Sequence, residues 1–278
     1  MLKIRPMGPN IGGEITGVDV KNLDDSGFVP IYKSWLKYGV TVVRNQELEI
    51  ADFIRYSQRY GPVLKHPSQT TRHPDHPEIT MLGINKFDPS GNLIKAIYGR
   101  GAGGFHTDGA YEEVPYKATQ LYALAIPSSG GDTHFSSMYM TYDALPARLK
   151  ILLEGRKAAY TFSKQGAMQA LNEKGIERPL MLHLMMPTHP ETGRRSVYFD
   201  PLKIRYVEGL EKHQSDDVIA ELKEIMIQPG AGYSHKWQVG DIVIWDNRCL
   251  VHKAAGDYPP EEERIHWRVS IEQTVTKT

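Results

Sequence analysis

The chain has 278 residues, enough to enclose a substantial core in one large domain or two small ones. Hydrophobic residues make up 40% and charged residues 24%, and 33 basic side chains balance 33 acidic ones, so nothing in the charge favours a nucleic-acid partner. The single cysteine, Cys249, excludes an intrachain disulfide framework, and no stretch reaches the ~20 apolar residues that cross a bilayer, so no membrane partner is expected.

The opening "MLKIRPMGPNIGGEITG" lacks an apolar run of signal-peptide length, which predicts a soluble, cytoplasmic protein. "VTVVRN" (40–45) is short and β-branched and reads as a buried strand. "EIADFIRYSQRYG" reads as a helix with Ile50, Phe53, Ile54 and Ser57 on one face and Gly61 as its stop. Residues 64–104 are rich in Pro, His, Gly, Asn and Asp and read as long mobile loops. "ATQLYALAIP" (118–127) reads as a strand ending at Pro127. "YDALPARLKILLEG" reads as one helix capped by Asp143, with Pro146 in its first turn and Leu149, Leu152 and Leu153 facing inward.

"MLHLMM" (181–186) reads as a buried strand, and "SDDVIAELKEIM" as a helix with Ser215 as N-cap and a core face of Val218, Leu222 and Ile225. "GDIVIWDN" (240–247) is a near-continuous apolar strand. "RIHWRVSIEQ" (264–273) alternates, with His266, Arg268 and Ser270 on one side and Trp267, Val269 and Ile271 on the other. Cys249 is expected in the core near Trp245. Strand and helix do not alternate regularly, so a mainly β sandwich or jelly roll with flanking helices fits better than a doubly wound parallel sheet.

"GGFHTDGAY" places His106 and Asp108 two residues apart beside glycines. A remote histidine would complete one triangular face of an octahedral metal, and His252 in "WDNRCLVHKAAGDY" follows the apolar strand by a short turn. Two histidines and one carboxylate leave three positions open, the arrangement of non-haem Fe(II) oxygenases. Zinc more often has four ligands, or three and a water. A 2-oxo acid cosubstrate needs a guanidinium for its far carboxylate. Arg264 and Arg268, four apart on the alternating strand, are the candidates; on a regular strand they share a face with α-carbons roughly 13 Å apart. "GRGAGG", with Gly99, Gly101 and Gly104, matches G-x-G-x-x-G but opens no helix, so no dinucleotide site is expected.

The chain resembles the taurine dioxygenase family of Fe(II)- and 2-oxoglutarate-dependent oxygenases, which includes the dichlorophenoxyacetate dioxygenases. The resemblance runs nearly end to end through "MGPNIGGEITGVDV", "GVTVVRNQ", "FHTD", "PSSGGDTHFSS", "YDALPARLKILLEG", "MPTHPETGRRSVYF", "WQVGDIVIWDNRCLVH" and "RIHWRVSI". It implies a single domain over 1–278 with a double-stranded β-helix (jelly-roll) core and a mobile active-site loop region near 64–104. It also implies His106, Asp108 and His252 as iron ligands, Thr133 as a hydrogen-bonding partner of 2-oxoglutarate, Arg264 as partner of its C5 carboxylate, and Arg268 as the arginine that meets a substrate anion. O2 is the co-oxidant, and a homodimer or homotetramer is expected. His66 matches a substrate-contacting histidine, and the loop over the site contributes Tyr98 and Arg100.

Departures from taurine dioxygenase argue against taurine itself. Gln69 replaces a tyrosine, Ala102 an asparagine and Phe105 a tryptophan, and lost polar contacts leave buried groups unpaired. The expected substrate is a small anion, such as a sulfonate, a sulfate ester or an aryloxyalkanoate. A hydroxylase for an amino acid or other zwitterion is the alternative within enzymes, and a non-catalytic ligand-binding protein of the same fold is the alternative outside them.

Overall fold

The computed structural model describes residues 1–65, 72–83, 86–87, 93–94, 103–162, 179–259 and 261–274, without the side chains of 86–87 and 93–94. In chain order the strands are β1 (Lys3–Pro6), β2 (Gly13–Thr16), β3 (Val40–Val43), β4 (Val63–Leu64), β5 (Thr80–Leu82), β6 (Lys86–Phe87), β7 (Leu93–Ile94), β8 (Ala118–Ala125), β9 (Thr133–Ser137), β10 (Lys157–Tyr160), β11 (Met181–Leu184), β12 (Ile204–Val207), β13 (Gly232–His235), β14 (Ile242–Asp246), β15 (Leu250–Ala254) and β16 (Ile265–Ile271). The helices are α1 (Asp25–Tyr38), α2 (Ile50–Gln58), α3 (Met138–Ala144), α4 (Ala147–Leu153) and α5 (Lys212–Ile225).

The main sheet runs β1-β2-β3-β14-β8-β16-β4, with β5 also paired to β16. Its register puts Val42, Val243, Leu121 and Arg268 in one row and Thr41, Ile244, Gln120 and Val269 in the next. Side chains alternate across a strand, so these rows face opposite ways. The outer face packs Ile242, Ile244, Val269 and Ile271 against Trp35 of α1 and Phe53 and Tyr56 of α2. The inner face packs Val42, Leu121, Val243 and Trp245 against Phe135 of β9 and Leu250 of β15. Those two strands belong to a second sheet, β13-β9-β15. Two mainly antiparallel sheets face to face, with helices outside, make the expected jelly roll. A third small sheet, β11-β10-β12, packs with α3, α4 and α5 around Leu149, Tyr160, Phe199 and Leu222.

The outcome differs from expectation in four elements. "YDALPARLKILLEG" is two helices, because Pro146 supplies no backbone N–H to a continuous ladder; it is the N-cap of α4, while Asp143 sits near the end of α3. The α5 helix starts earlier, capped by Glu211 with Gln214 completing a capping box. Ser215 is buried inside it and its hydroxyl accepts the Val207 N–H at 2.9 Å. β11 is an edge strand with Leu182 and Leu184 exposed, and only Met185 and Met186 beyond it are buried. Part of 64–104 is strand: β5 pairs residue by residue with β16, Thr80 opposite Arg268. The remainder of that stretch lies mostly outside the described residues.

Candidate active site

His106 reaches the site by a single antiparallel bridge to β15. Its N–H donates to the His252 carbonyl at 3.0 Å, and the His252 N–H donates back at 2.8 Å. Asp108 follows in a turn closed by Gly109, whose φ is +79° and whose added β-carbon would lie 2.7 Å from the Tyr116 backbone nitrogen. Only glycine meets both conditions. The bridge therefore brings together residues far apart in the chain. His106 Nε2 is 3.9 Å from Asp108 Oδ1, and His252 Nε2 is 3.7 Å from Asp108 Oδ2. One ligand atom from each of the three lies within 4.8 Å of the others.

The protonation states suit a metal. Burial opposes the charged form of Asp108, but Arg268, the two imidazoles and the Thr119 hydroxyl outweigh it and hold the carboxyl well below its usual range. Burial, reinforced by the neighbouring His106, pushes His252 down to about 3. Burial also lowers His106, against the pull of Asp108. At neutral pH the cluster is thus two neutral imidazoles and one carboxylate, the forms that bind metal. His106 Nδ1 lies 3.2 Å from the Gly104 carbonyl, an acceptor only, so Nδ1 carries the proton and Nε2 keeps its lone pair toward the cluster. His252 packs against Trp245 with ring centroids 4.4 Å apart.

Arg264 meets Thr133, which lies opposite Ala254, two residues beyond His252 on β15. The Arg264 Nε donates to the Gly131 carbonyl at 2.7 Å and Nη2 to the Thr133 hydroxyl at 3.1 Å, which also accepts from Trp237 Nε1 at 3.0 Å. Burial pulls Arg264 down to about 10, and Tyr258 and Asp132 offset this only in part. Such a guanidinium gains from an incoming carboxylate. Arg268, four residues on, places Nη2 2.8 Å from Asp108 Oδ1. His66, Tyr98, Arg100, Gln69 and Ala102 lie outside the described residues.

Sequence reasoning missed several neighbours. Tyr111 and Tyr116 interact electrostatically with Arg268, both phenols are raised mainly by burial with Asp108 adding to it, and the Tyr111 ring meets Phe162 edge-on at 4.8 Å. Lys203 stands 5.5 Å from the Tyr111 ring centroid. The two tyrosines follow the His-x-Asp motif closely, which was the available signal; Phe162 and Lys203 had none.

A second compact group, His189, Asp246 and Cys249, is also buried. Its donors are spent. His189 Nδ1 accepts the N–H groups of Glu191 and Thr192, and Nε2 faces Asp246 Oδ2 at 3.0 Å. Arg248 holds the Asp246 carboxylate through Nε at 2.8 Å and Nη2 at 2.6 Å. This is a structural clamp on the turn before β15. Cys249 packs in the Trp245 core, as expected, and burial raises its thiol well above the ordinary value.

A jelly roll carrying two imidazoles and a carboxylate at one cluster is the arrangement of the non-haem iron oxygenases. The chain belongs to the TauD/TfdA dioxygenase family: the model described as "Taurine catabolism dioxygenase TauD, TfdA family" matches residues 3–270. It is 31% identical to an (S)-phenoxypropionate/alpha-ketoglutarate-dioxygenase of Sphingobium herbicidovorans, over 96% of this chain and 94% of that one. It is 28% identical to an alkylsulfatase of Acinetobacter baylyi, over 99% and 86%. A taurine dioxygenase structure from Burkholderia xenovorans superposes with a TM-score of 0.82 at 25% identity, covering 99% of this chain and 90% of that one. The chain is a 2-oxoglutarate-dependent dioxygenase that uses Fe(II), 2-oxoglutarate and O2 on a small molecule. Among the described residues no helix is long and apolar enough to cross a membrane.

Proposed function

We propose that this dioxygenase hydroxylates a small organic anion, with His106, Asp108 and His252 holding Fe(II). The convergence of those three side chains in metal-binding protonation states carries the reading. Bound there with 2-oxoglutarate and O2, the metal supplies the oxidising chemistry that releases succinate and CO2 and delivers one oxygen atom to a substrate carbon. The chain's own groups do the placing. Arg264 and Thr133 hold the distal carboxylate of 2-oxoglutarate. Arg268 keeps Asp108 ionised through one N–H and offers the rest of its fork to an anion. Tyr111, Tyr116 and Phe162 give an aromatic wall that excludes water and orients the carbon to be attacked. His66, Tyr98 and Arg100 complete the substrate contacts in this reading.

Anion selectivity is supported by Arg268 and by Lys203, whose charge acts on His106. The relatives named for a phenoxypropionate and an alkyl sulfate point the same way. Where the hydroxylated carbon bears a heteroatom, the product can break that bond. The same reading takes residues 1–278 as one catalytic domain, with the region near 64–104 over the site, and the protein as a homodimer or homotetramer. The test is succinate release across aryloxyalkanoates, sulfonates, sulfate esters and amino acids. Stimulation by an anion, and none by its neutral amide or ester, is expected. Stimulation by amino acids alone would transfer the assignment to a zwitterion hydroxylase.

A further inference from the structure

The Asp108 carboxylate is held on both oxygens. Arg268 meets Oδ1 at 2.8 Å, and the Thr119 hydroxyl donates to Oδ2 at 2.7 Å. Behind Thr119 stands Asn247. Its Nδ2 donates to the Thr119 oxygen at 3.0 Å, and its Oδ1 accepts from Trp245 Nε1 at 3.0 Å and from the Asp108 backbone N–H at 3.4 Å. Thr119 is 0% exposed, and Trp245 and Asn247 are 1% exposed, so water does not compete for these groups.

Every proton in this chain of contacts has a forced direction. An indole N–H can only donate, so the Asn247 atom facing it is the carbonyl oxygen. The amide nitrogen then faces Thr119, whose oxygen must accept. The one hydroxyl proton of Thr119 goes to Asp108, which is acceptor-only when ionised. Three hydrogen bonds therefore run one way, from indole to carboxylate. Sheet register sets the route, since Thr119 on β8 lies opposite Trp245 on β14. A further bond, donated by Thr107 Oγ1 to the Asn247 main-chain carbonyl at 2.8 Å, fastens the turn bearing His106 and Asp108 to the turn bearing Asn247.

We infer that Thr119 and Asn247 are positioning residues for the metal site, fixing the rotamer and plane of the Asp108 carboxylate before any ion arrives. The inference rests on the proposed role of Asp108 as a ligand. Preset ligands bind more tightly because the ion does not have to order them.

Mn(II) binding by titration calorimetry, with thermal melts of each variant, tests this. Thr119→Val keeps the shape and removes the donor. It weakens Mn(II) binding by about tenfold or more, and Thr119→Ser restores it to within about threefold of wild type. Asn247→Asp keeps an acceptor for Trp245 and the Asp108 N–H but cannot donate to Thr119. The added negative charge by itself would tighten Mn(II) binding, whereas the positioning role requires weakening. A folded Thr119→Val protein with wild-type affinity, or an Asn247→Asp protein that binds more tightly, overturns the inference. Should Thr119→Val not fold, Asn247→Asp decides. A wild-type chain that binds no Mn(II) would remove the ligand assignment, and this inference with it.

Discussion

Arg264 and Thr133, 131 positions apart, are joined by a 3.1 Å hydrogen bond from guanidinium to hydroxyl. This bond links the start of β16 to the start of β9, and so bridges the two sheets of the jelly roll at the proposed cosubstrate site. Arg264 is partly buried, and its charge is only partly compensated. Replacing it with alanine removes a charge-assisted contact to 2-oxoglutarate of about 1.5–3 kcal/mol, raising the Michaelis constant for 2-oxoglutarate by roughly ten- to a hundredfold. An unchanged constant in steady-state assays would remove Arg264 from that role.

His106→Ala and His252→Ala each abolish succinate formation and Mn(II) binding. Asp108→Ala does the same but also lowers the melting temperature further than either, because it strands the Arg268 guanidinium. Breaking a buried ion pair costs about 3–5 kcal/mol. Equal melting temperatures for all three variants would show that the Arg268–Asp108 contact contributes little.

The His189–Asp246–Arg248 clamp is structural. Asp246→Ala is expected to destabilise the fold by about 1–3 kcal/mol, since it leaves buried donors of Arg248 and His189 unsatisfied while Glu191 still partners the Arg248 charge. Metal stoichiometry remains one ion per chain, in wild type and in Cys249→Ser alike. Finding a second ion that disappears in Cys249→Ser would make the clamp a metal site.

Without metal, stability falls as pH drops from about 6.5 to about 3. The His252 imidazole has its folded pKa pushed down to about 3 from an ordinary 6.5. Between those values the unfolded chain takes a proton that the folded chain refuses, so acid favours unfolding. The depressed pKa of Asp108 adds loss in the same direction below its ordinary range. His252→Gln flattens the upper part of this dependence in denaturant titrations; a slope identical to wild type would contradict it.

Gly83, just past β5, approaches the backbone at Arg264, the proposed cosubstrate residue. Its φ is +78°, and an added β-carbon would collide with the Arg264 backbone carbonyl. Gly83→Ala costs about 1–3 kcal/mol in strain, and it raises the 2-oxoglutarate Michaelis constant by shifting Arg264. Wild-type stability together with a wild-type constant would show that this approach is not constrained.

Much of the fold was legible where burial follows a simple period. The β14 run is apolar throughout because both its faces are buried at the sheet centre, and β16 alternates because Val269 and Ile271 face the helices while Arg268 faces the site. Pro146 interrupts an otherwise continuous helical pattern by withholding one N–H, which periodicity alone does not weigh, and the apolar run of β11 carries no sign of being an edge. The start of α5 is ambiguous in the sequence because two residues able to cap it, Glu211 and Ser215, lie four apart.

At the site, Thr133 comes only from the family resemblance, whereas residue type and spacing name His106, Asp108, His252, Arg264 and Arg268. Those side chains have distinctive metal and anion chemistry, and their motif spacing resembles a known family. Thr119, Asn247 and Lys203 could not be named that way, since threonine, asparagine and lysine are common and carry no motif of their own; Tyr111 had only its closeness to the His-x-Asp motif as a signal. The amino-acid order therefore determined the chemistry available and the period of the strands that carry it. Only the tertiary structure decided which groups meet, which lose their protons and which way the hydrogen bonds run. Those outcomes depend on distance and on exclusion of water between segments more than a hundred residues apart, and no local pattern encodes either.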